Sequence, residues 1–244
     1  MTNSDIRKIV TEQLSKDLGC TVKDLEMPDN KVVVCNPIGS ENYHFCEMTC
    51  YRNAVVASVD ERIKPFMEAF IAGRIGFRCF EGISILTDEF RKYNKQIELR
   101  TEAFIPDCAR LTTPKPDFDT VLLQGKDIEV LYDDKRFHMA LSYKIAGECA
   151  DVLAVAGYKD KQIIGVAGAS NDYEQMWQVG IDVVPEHRSK GVGTMLISIL
   201  TAEILKKGIV PFYRAVWSHI LSKNTAINSG YQSAWVTICA DDGD

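Results

Sequence analysis

The chain has 244 residues, of which 46% are apolar and 25% charged, with 16 Gly, 8 Pro and 8 Cys. That balance excludes a disordered chain, a collagen and a disulfide-stapled miniprotein, and at about 100 to 200 residues per domain the length predicts one large domain or two ordinary ones. A formal charge of -6 gives no electrostatic reason to expect nucleic acid or an anionic membrane as partner, so small substrates or protein partners are expected.

The longest near-apolar runs, 152–157 and 163–169, fall far short of the roughly 18 residues of a spanning helix. The segment MTNSDIRKIVTEQL is amphipathic and mixed in charge, unlike a secretory signal. The cysteines, Cys20, Cys35, Cys46, Cys50, Cys79, Cys108, Cys149 and Cys239, form no CxxC pair, which suits reduced, mostly buried thiols. A cytoplasmic protein is expected, without a disulfide framework.

Ile6, Ile9, Val10 and Leu14 recur at helical spacing after Ser4 or Asp5 as cap, and Gly19 supplies a stop. Between residues 31 and 59 the runs VVVC, YHFCEMTCY and AVVASV read as strands of one sheet, with a turn at 36–40. Helical spacing resumes over 63–72, residues 82–93 are ambiguous, and 96–104 alternate like a strand. The segment 111–119 reads as a linker, because each proline disfavours helix and removes a backbone donor. This predicts an N-terminal α+β domain over 1–119 and a second domain over 120–244.

Residues 127–131 and 137–146 read as short helices. Strands are predicted at 152–157, 162–169 and 176–184, an antiparallel meander by spacing. After a loop at 185–190, residues 192–207 carry an apolar stripe of Val192, Met195, Leu196, Ile199, Leu200 and Ile204, the pattern of a core-facing helix. A strand at 212–217, a helix at 220–228 and a strand at 233–240 complete the chain.

The stretch 183–194, VVPEHRSKGVGT, runs from a strand through a loop into a helix and has the physics of an anion site. Gly191 and Gly193 let the backbone approach a ligand closely, and the helix start leaves unpaired N–H groups pointing at it. Hydrogen bonds to a charged acceptor contribute about 1.5 to 3 kcal/mol each, against about 0.3 to 1 kcal/mol from the helix dipole. The amides therefore dominate, and Arg188 and Lys190 add counter-charge. A glycine pair at a helix start also fits an ordinary tight turn. The phosphate-loop spelling GxxxxGK[ST] and the dinucleotide spelling GxGxxG are both absent here.

Arg-x-x-Gly-x-Gly (Arg188, Gly191, Gly193) after a strand and a proline resembles motif A of the GNAT acyltransferase superfamily. The likeness extends in order over about 150–240: meander, strand, loop, helix, strand, and a short helix closing on Ser229-Gly230-Tyr231. MWQVGIDV at 176–183 and VPFY at 210–213 resemble a subgroup with an additional N-terminal domain. The resemblance implies a mixed, mostly antiparallel sheet flanked by helices, the acyl-CoA N-acyltransferase fold, behind an N-terminal α+β domain. It implies acetyl-CoA as donor, with its pyrophosphate on the amides of Arg188, Ser189, Lys190, Gly191, Val192, Gly193 and Thr194. Its pantetheine would run along the strand at Val183. In this family the strands corresponding to 176–184 and 212–217 splay apart and leave edge amides free, which would place the thioester carbonyl near the Val183 amide.

The resemblance further implies that His219, where the subgroup has an Asn, and Ser222 contact CoA, since an imidazole N–H can donate similarly. His219 could equally cap its helix or be solvated. Ala226 stands where many members carry a tyrosine that protonates the departing thiolate, so another group or water must do so.

A lysine-like amine is mostly protonated at pH 7, and exposing its nucleophilic form costs about 4 to 5 kcal/mol. Asp182, within an apolar strand, is one candidate base, since desolvation would raise its pKa. Alternation puts it on the face opposite Val183, so a structural carboxylate paired with a neighbouring strand is the competing interpretation. Tyr213 and Glu174 are the other acid–base candidates. His44, Cys46 and Cys50 share a strand face, but ligands spread over some 20 Å cannot surround one ion, so no metal is expected. Trp177, Trp217 and Trp235 read as core or pocket-wall residues. The expected function is acetyl transfer from acetyl-CoA to a primary amine of a small molecule or peptide by direct attack, with the acidic N-terminal domain favouring a cationic acceptor. The alternatives are a longer acyl donor, or a non-catalytic acyl-CoA-binding sensor or partner-binding module.

Overall fold

The computed structural model describes residues 1–35, 44–112 and 115–242. The elements begin with α1 (Asn3–Asp17), α2 (Val22–Glu26), β1 (Lys31–Val34), β2 (Cys46–Tyr51), β3 (Ala54–Val59), α3 (Lys64–Ile71), α4 (Ile83–Arg91) and β4 (Lys95–Pro106). They continue with β5 (Asp119–Gln124), β6 (Asp151–Lys159), β7 (Gln162–Ser170), β8 (Met176–Val183), α5 (Val192–Lys206), β9 (Val210–Val216), α6 (Ile220–Asn228) and β10 (Tyr231–Asp242). The turn expected at 36–40 lies outside the described residues, as do Thr113 and Pro114 of the expected linker.

By its contacts the chain divides into two units, each assembled from several segments. One comprises Met1–Ile9, Phe104–Ala215 and His219–Ser233, the other Val10–Ala103, Val216–Ser218 and Ala234–Asp244. The division thus falls between Ala103 and Phe104 rather than at residue 119. Phe104 is buried in the core of the first unit, and Asp107 N–H donates to the Gly230 carbonyl at 2.9 Å, which ties this part of the chain to residues far along it.

In the second unit β1 lies parallel to β3, and β2 lies antiparallel to both β3 and β10. β3 is buried throughout its length, as its unbroken AVVASV run requires of a strand covered on both faces. Met67, Phe70 and Ile71 of α3 and Leu86 and Phe90 of α4 complete its core with Phe45 and Met48. The ambiguity over 82–93 resolves as a helix because Leu86 and Phe90, one turn apart, have that core to enter. Burial raises the Cys50 thiol to about 11, and raises Cys46 well above the ordinary range, so both are inert thiols.

In the first unit the strands run in the order β9-β8-β7-β6-β5. The β6–β7–β8 meander is antiparallel, and β5 adds to its outer edge from Asp119 opposite Tyr158 to Gln124 opposite Leu153. α5 covers one face with Val192, Leu196, Ile197, Leu200 and Ile204 buried. The two short helices expected between 127 and 146 are corrected. Gly125–Leu131 and Lys135–Phe137 are 3-10 turns, and after Phe137 a single turn closed by Leu141 N–H on the Phe137 carbonyl at 2.9 Å gives way to a loop, where carboxylates accept from the amides of Met139, Ala140, Ser142 and Tyr143. No helix among the described residues is long and apolar enough to cross a membrane.

Candidate active site

β8 is paired unequally on its two sides. Toward β7 the register runs from Gln178 opposite Ser170 to Val183 opposite Gly165. Toward β9, which is parallel to it, pairing runs from Met176 opposite Val210 only to Val179 opposite Tyr213. Beyond that point the strands part, and the edge of residues 180–183 faces a split about 13 Å long at 3.3 Å per residue. Val184 N–H donates to the Ile164 carbonyl on the β7 side at 3.0 Å. Successive amides point to opposite edges, so the N–H of Val183 points into the split.

The split leads to the start of α5. Gly191 is the residue before its first turn, in the left-handed conformation at φ 80°, and no side chain caps the helix. Ser189 also has positive φ, 58°. The first-turn amides are therefore presented without a side-chain acceptor. Arg188 Nε donates to the Val183 carbonyl at 2.9 Å, which fixes the guanidinium at the end of the free edge. Lys190 Nζ instead donates to the Glu186 carbonyl at 2.8 Å. A Cβ on Gly193 would lie 3.4 Å from Ile181 Cγ1 and from Val183 Cγ2, so α5 rests on the Ile181/Val183 face of β8.

The opposite face carries Gln178, Gly180 and Asp182, and the loop after Phe137 crosses it. A Cβ on Gly180 would collide with the Met139 carbonyl, and one on Gly168 with that of Ala140. These two bare positions let the loop backbone lie directly on the sheet. Asp182 Oδ2 accepts from the N–H groups of Met139 at 2.7 Å and Ala140 at 3.0 Å. Burial nevertheless raises the Asp182 carboxyl above its ordinary range, outweighing those two bonds. Asp151 holds the next stretch of the loop, accepting from Ser142 N–H and Tyr143 N–H, both at 2.9 Å, and from the Tyr132 hydroxyl at 2.8 Å.

A cavity of about 830 Å³ connects these surfaces within the first unit. The sequence-predicted residues Asp182, Val183, Arg188, Ser189, Gly191, Val192, Gly193 and Thr194 line it, with Tyr213, His219 and Ser222. Lys190 and Glu174 are not on its wall, and the lysine ammonium is turned back to its own loop. The Tyr213 hydroxyl is 2.8 Å from Ser222 Oγ, and burial pushes its phenol above the usual range. His219 is exposed at the start of α6 and makes no side-chain cap there. Trp177 packs against the core of the first unit and Trp217 against that of the second, as core residues.

Residues 122–227 match the model of the Acetyltransferase (GNAT) family. This segment is a GNAT acetyltransferase domain. Among solved structures the chain resembles a GCN5-related N-acetyltransferase-like protein from Streptococcus suis at 16% identity and TM-score 0.46, over 64% of this chain and 67% of that one. It also resembles an acetyltransferase of the GNAT family from Colwellia psychrerythraea at 10% identity and TM-score 0.43, over 59% and 57%. The aminoglycoside N-acetyltransferase AAC(6')-Iy in complex with CoA matches at 17% identity and TM-score 0.39, over 51% of this chain and 93% of that one. The chain therefore spans about two thirds or less of the first two of these proteins. Comparison with curated protein sequences gives no match.

The GNAT domain contains the whole split and the loop that covers its far side. Sequence reasoning missed Gln178, Arg214, Ser142 and the Met139–Ala140 amides, all of which line the cavity. The available signal was Gly168 and Gly180 inside strands, positions that mark a close backbone approach. Among the described residues no group of three or more His, Cys, Asp or Glu is placed to hold a metal ion.

Proposed function

We propose that the GNAT domain transfers the acetyl group of acetyl-CoA to a primary amine by direct attack. One observation carries this reading: the unpaired edge at 180–183 ends at an uncapped helix start whose αL residue is Gly191. A strand edge offers main-chain hydrogen bonds to an extended amide-bearing arm, and a bare helix N-terminus offers amides to phosphate oxygens. Both parts of CoA thus fit residues that are already arranged for them.

Bound acetyl-CoA supplies a thioester, an acyl carbon activated toward amines. The amides at the start of α5 hold its diphosphate, and Arg188 adds charge beside them. Val183 N–H, aimed into the split, donates to the carbonyl oxygen as negative charge develops there. Asp182, on the loop-covered face, takes the proton of the attacking amine, for which a carboxyl raised by burial is suited. The C–N bond forms as the C–S bond breaks, and Tyr213, kept protonated by its buried setting, gives its proton to the departing thiolate. The Tyr213–Ser222 pair supplies in this chain the hydroxyl that Ala226 lacks, which favours an enzyme over a non-catalytic sensor.

Titration calorimetry with acetyl-CoA and a thiol-release assay over a panel of amines test this. Gly191→Glu is expected to abolish CoA binding while far-UV circular dichroism stays that of the wild type. Undiminished binding by that folded variant would overturn the assignment of the donor site.

A further inference from the structure

The face of the sheet that carries Gln178 of β8 also carries Arg214 of β9, and the fold itself uses neither group. Gln178 Oε1 is buried and has no hydrogen-bond partner among the described residues. A buried carbonyl in that state carries an uncompensated desolvation cost until a ligand donor reaches it. Arg214 is the residue immediately beyond the last β8–β9 pair. Gln178 stands opposite Phe212, so alternation puts Arg214 on the Gln178 face, level with the bare Gly180 where the strands have parted. It is exposed, lines the cavity and makes no side-chain hydrogen bond or ion pair among the described residues.

The nearby carboxylates do not claim this cation. Asp172 feels its charge, but burial pushes that carboxyl up on balance, and its Oδ1 is engaged by Ser170 Oγ at 2.5 Å. Asp151, also on the cavity wall, is occupied by three donors. Asp182 lies two residues beyond Gly180, about 7 Å along the strand, a distance that a small bifunctional molecule spans.

We propose that the acceptor is a small primary amine that also carries an oxyanion. Its amine meets Asp182, its oxyanion meets the Arg214 guanidinium, and a second N–H or O–H of the same molecule donates to Gln178 Oε1. This rests on the acetyl-transfer reading and names its substrate class. It runs against the cationic acceptor suggested by the acidic N-terminal half, because the unspent charge on this wall is positive. A guanidinium donates to a carboxylate or a phosphate alike.

The test is steady-state thiol release at saturating acetyl-CoA with two matched pairs: an α-amino acid against its carboxamide, and an aminoalkyl phosphate against the amino alcohol. The anionic member of at least one pair is expected to show a KM lower by about tenfold, the scale of one charge-assisted hydrogen bond, and the pair that does so identifies the oxyanion. Arg214→Gln should erase that difference, and Gln178→Leu should raise the same KM, while CoA affinity by calorimetry stays unchanged in both. Equal KM values within each pair, or a preference that survives in Arg214→Gln, overturn the proposal. Turnover of the neutral amines in that case leaves acetyl transfer standing. Absence of thiol release with all four acceptors overturns both.

Discussion

Asp182 holds two loop amides and, in the proposed reaction, takes a proton. These roles separate under substitution, because Asn keeps an oxygen for Met139 and Ala140 but cannot act as a base. Asp182→Asn should therefore lower kcat by about a hundredfold or more and remove the acid limb of the pH–rate profile. In the wild type that limb should fall as pH drops through a value above the ordinary 3.9 or so of an aspartate. The stability trend has the opposite sign. Since the folded carboxyl binds its proton more tightly than the unfolded one, its contribution is fully present below about pH 3.9 and is lost as pH rises through the folded value. Thermal melts of wild type relative to Asp182→Asn should decline across that window. Asp151 differs, being 2% exposed with three donors fixed on it. Asp151→Ala strands those donors and should cost about 3 kcal/mol or more in urea unfolding. The strand–loop–helix course of 183–194 was legible at this scale because its signal is local, a spacing of Arg188, Gly191 and Gly193. Gln178 and Arg214 were not, since their proposed roles depend on how β8 and β9 pair and then part, which no local pattern records.

Among the elements, the meander and α5 were readable because alternation and a 3.6-residue stripe are imposed by a core on one side of each. β5 was missed: it is exposed nearly throughout, so it lacks the apolar alternation that a half-buried strand writes into sequence. The loop after Phe137 was misread as a helix because, after one turn, the amides of Met139, Ala140, Ser142 and Tyr143 are held by Asp182 and Asp151 from outside the segment. Its seat on the sheet depends on the absence of side chains at Gly168 and Gly180. Gly180→Ala should cost about 2 kcal/mol, an ordinary overpacking penalty, because the Met139 carbonyl cannot retreat without loosening the bonds to Asp182. The acceptor KM should rise more than the CoA dissociation constant. Denaturant melts and the two constants, measured on one preparation, check this, and a change confined to CoA affinity would contradict the placement of the loop on the acceptor side.

At the scale of the whole molecule, length allowed one large domain or two ordinary ones, and two hydrophobic cores are present, one in each unit. What composition could not convey is that neither unit is a continuous stretch: residues 1–9 join the first unit, and the last strand contributes to both. The acidity of the N-terminal domain likewise says nothing of the sign of the charge that the proposed acceptor would meet, which in that proposal is the charge of Arg214.

The unequal pairing of β8 has a kinetic consequence. Donor amides lie on one face of that strand and the proposed acceptor groups on the other, with the split as the passage joining them, and no cysteine stands among the residues that line it. Neither substrate has to vacate its place for the other to arrive, and no acyl-enzyme is required to carry the acetyl group across. Double-reciprocal plots of initial rate at several fixed amine concentrations should therefore intersect. Parallel lines would mean that the acetyl group pauses on the protein.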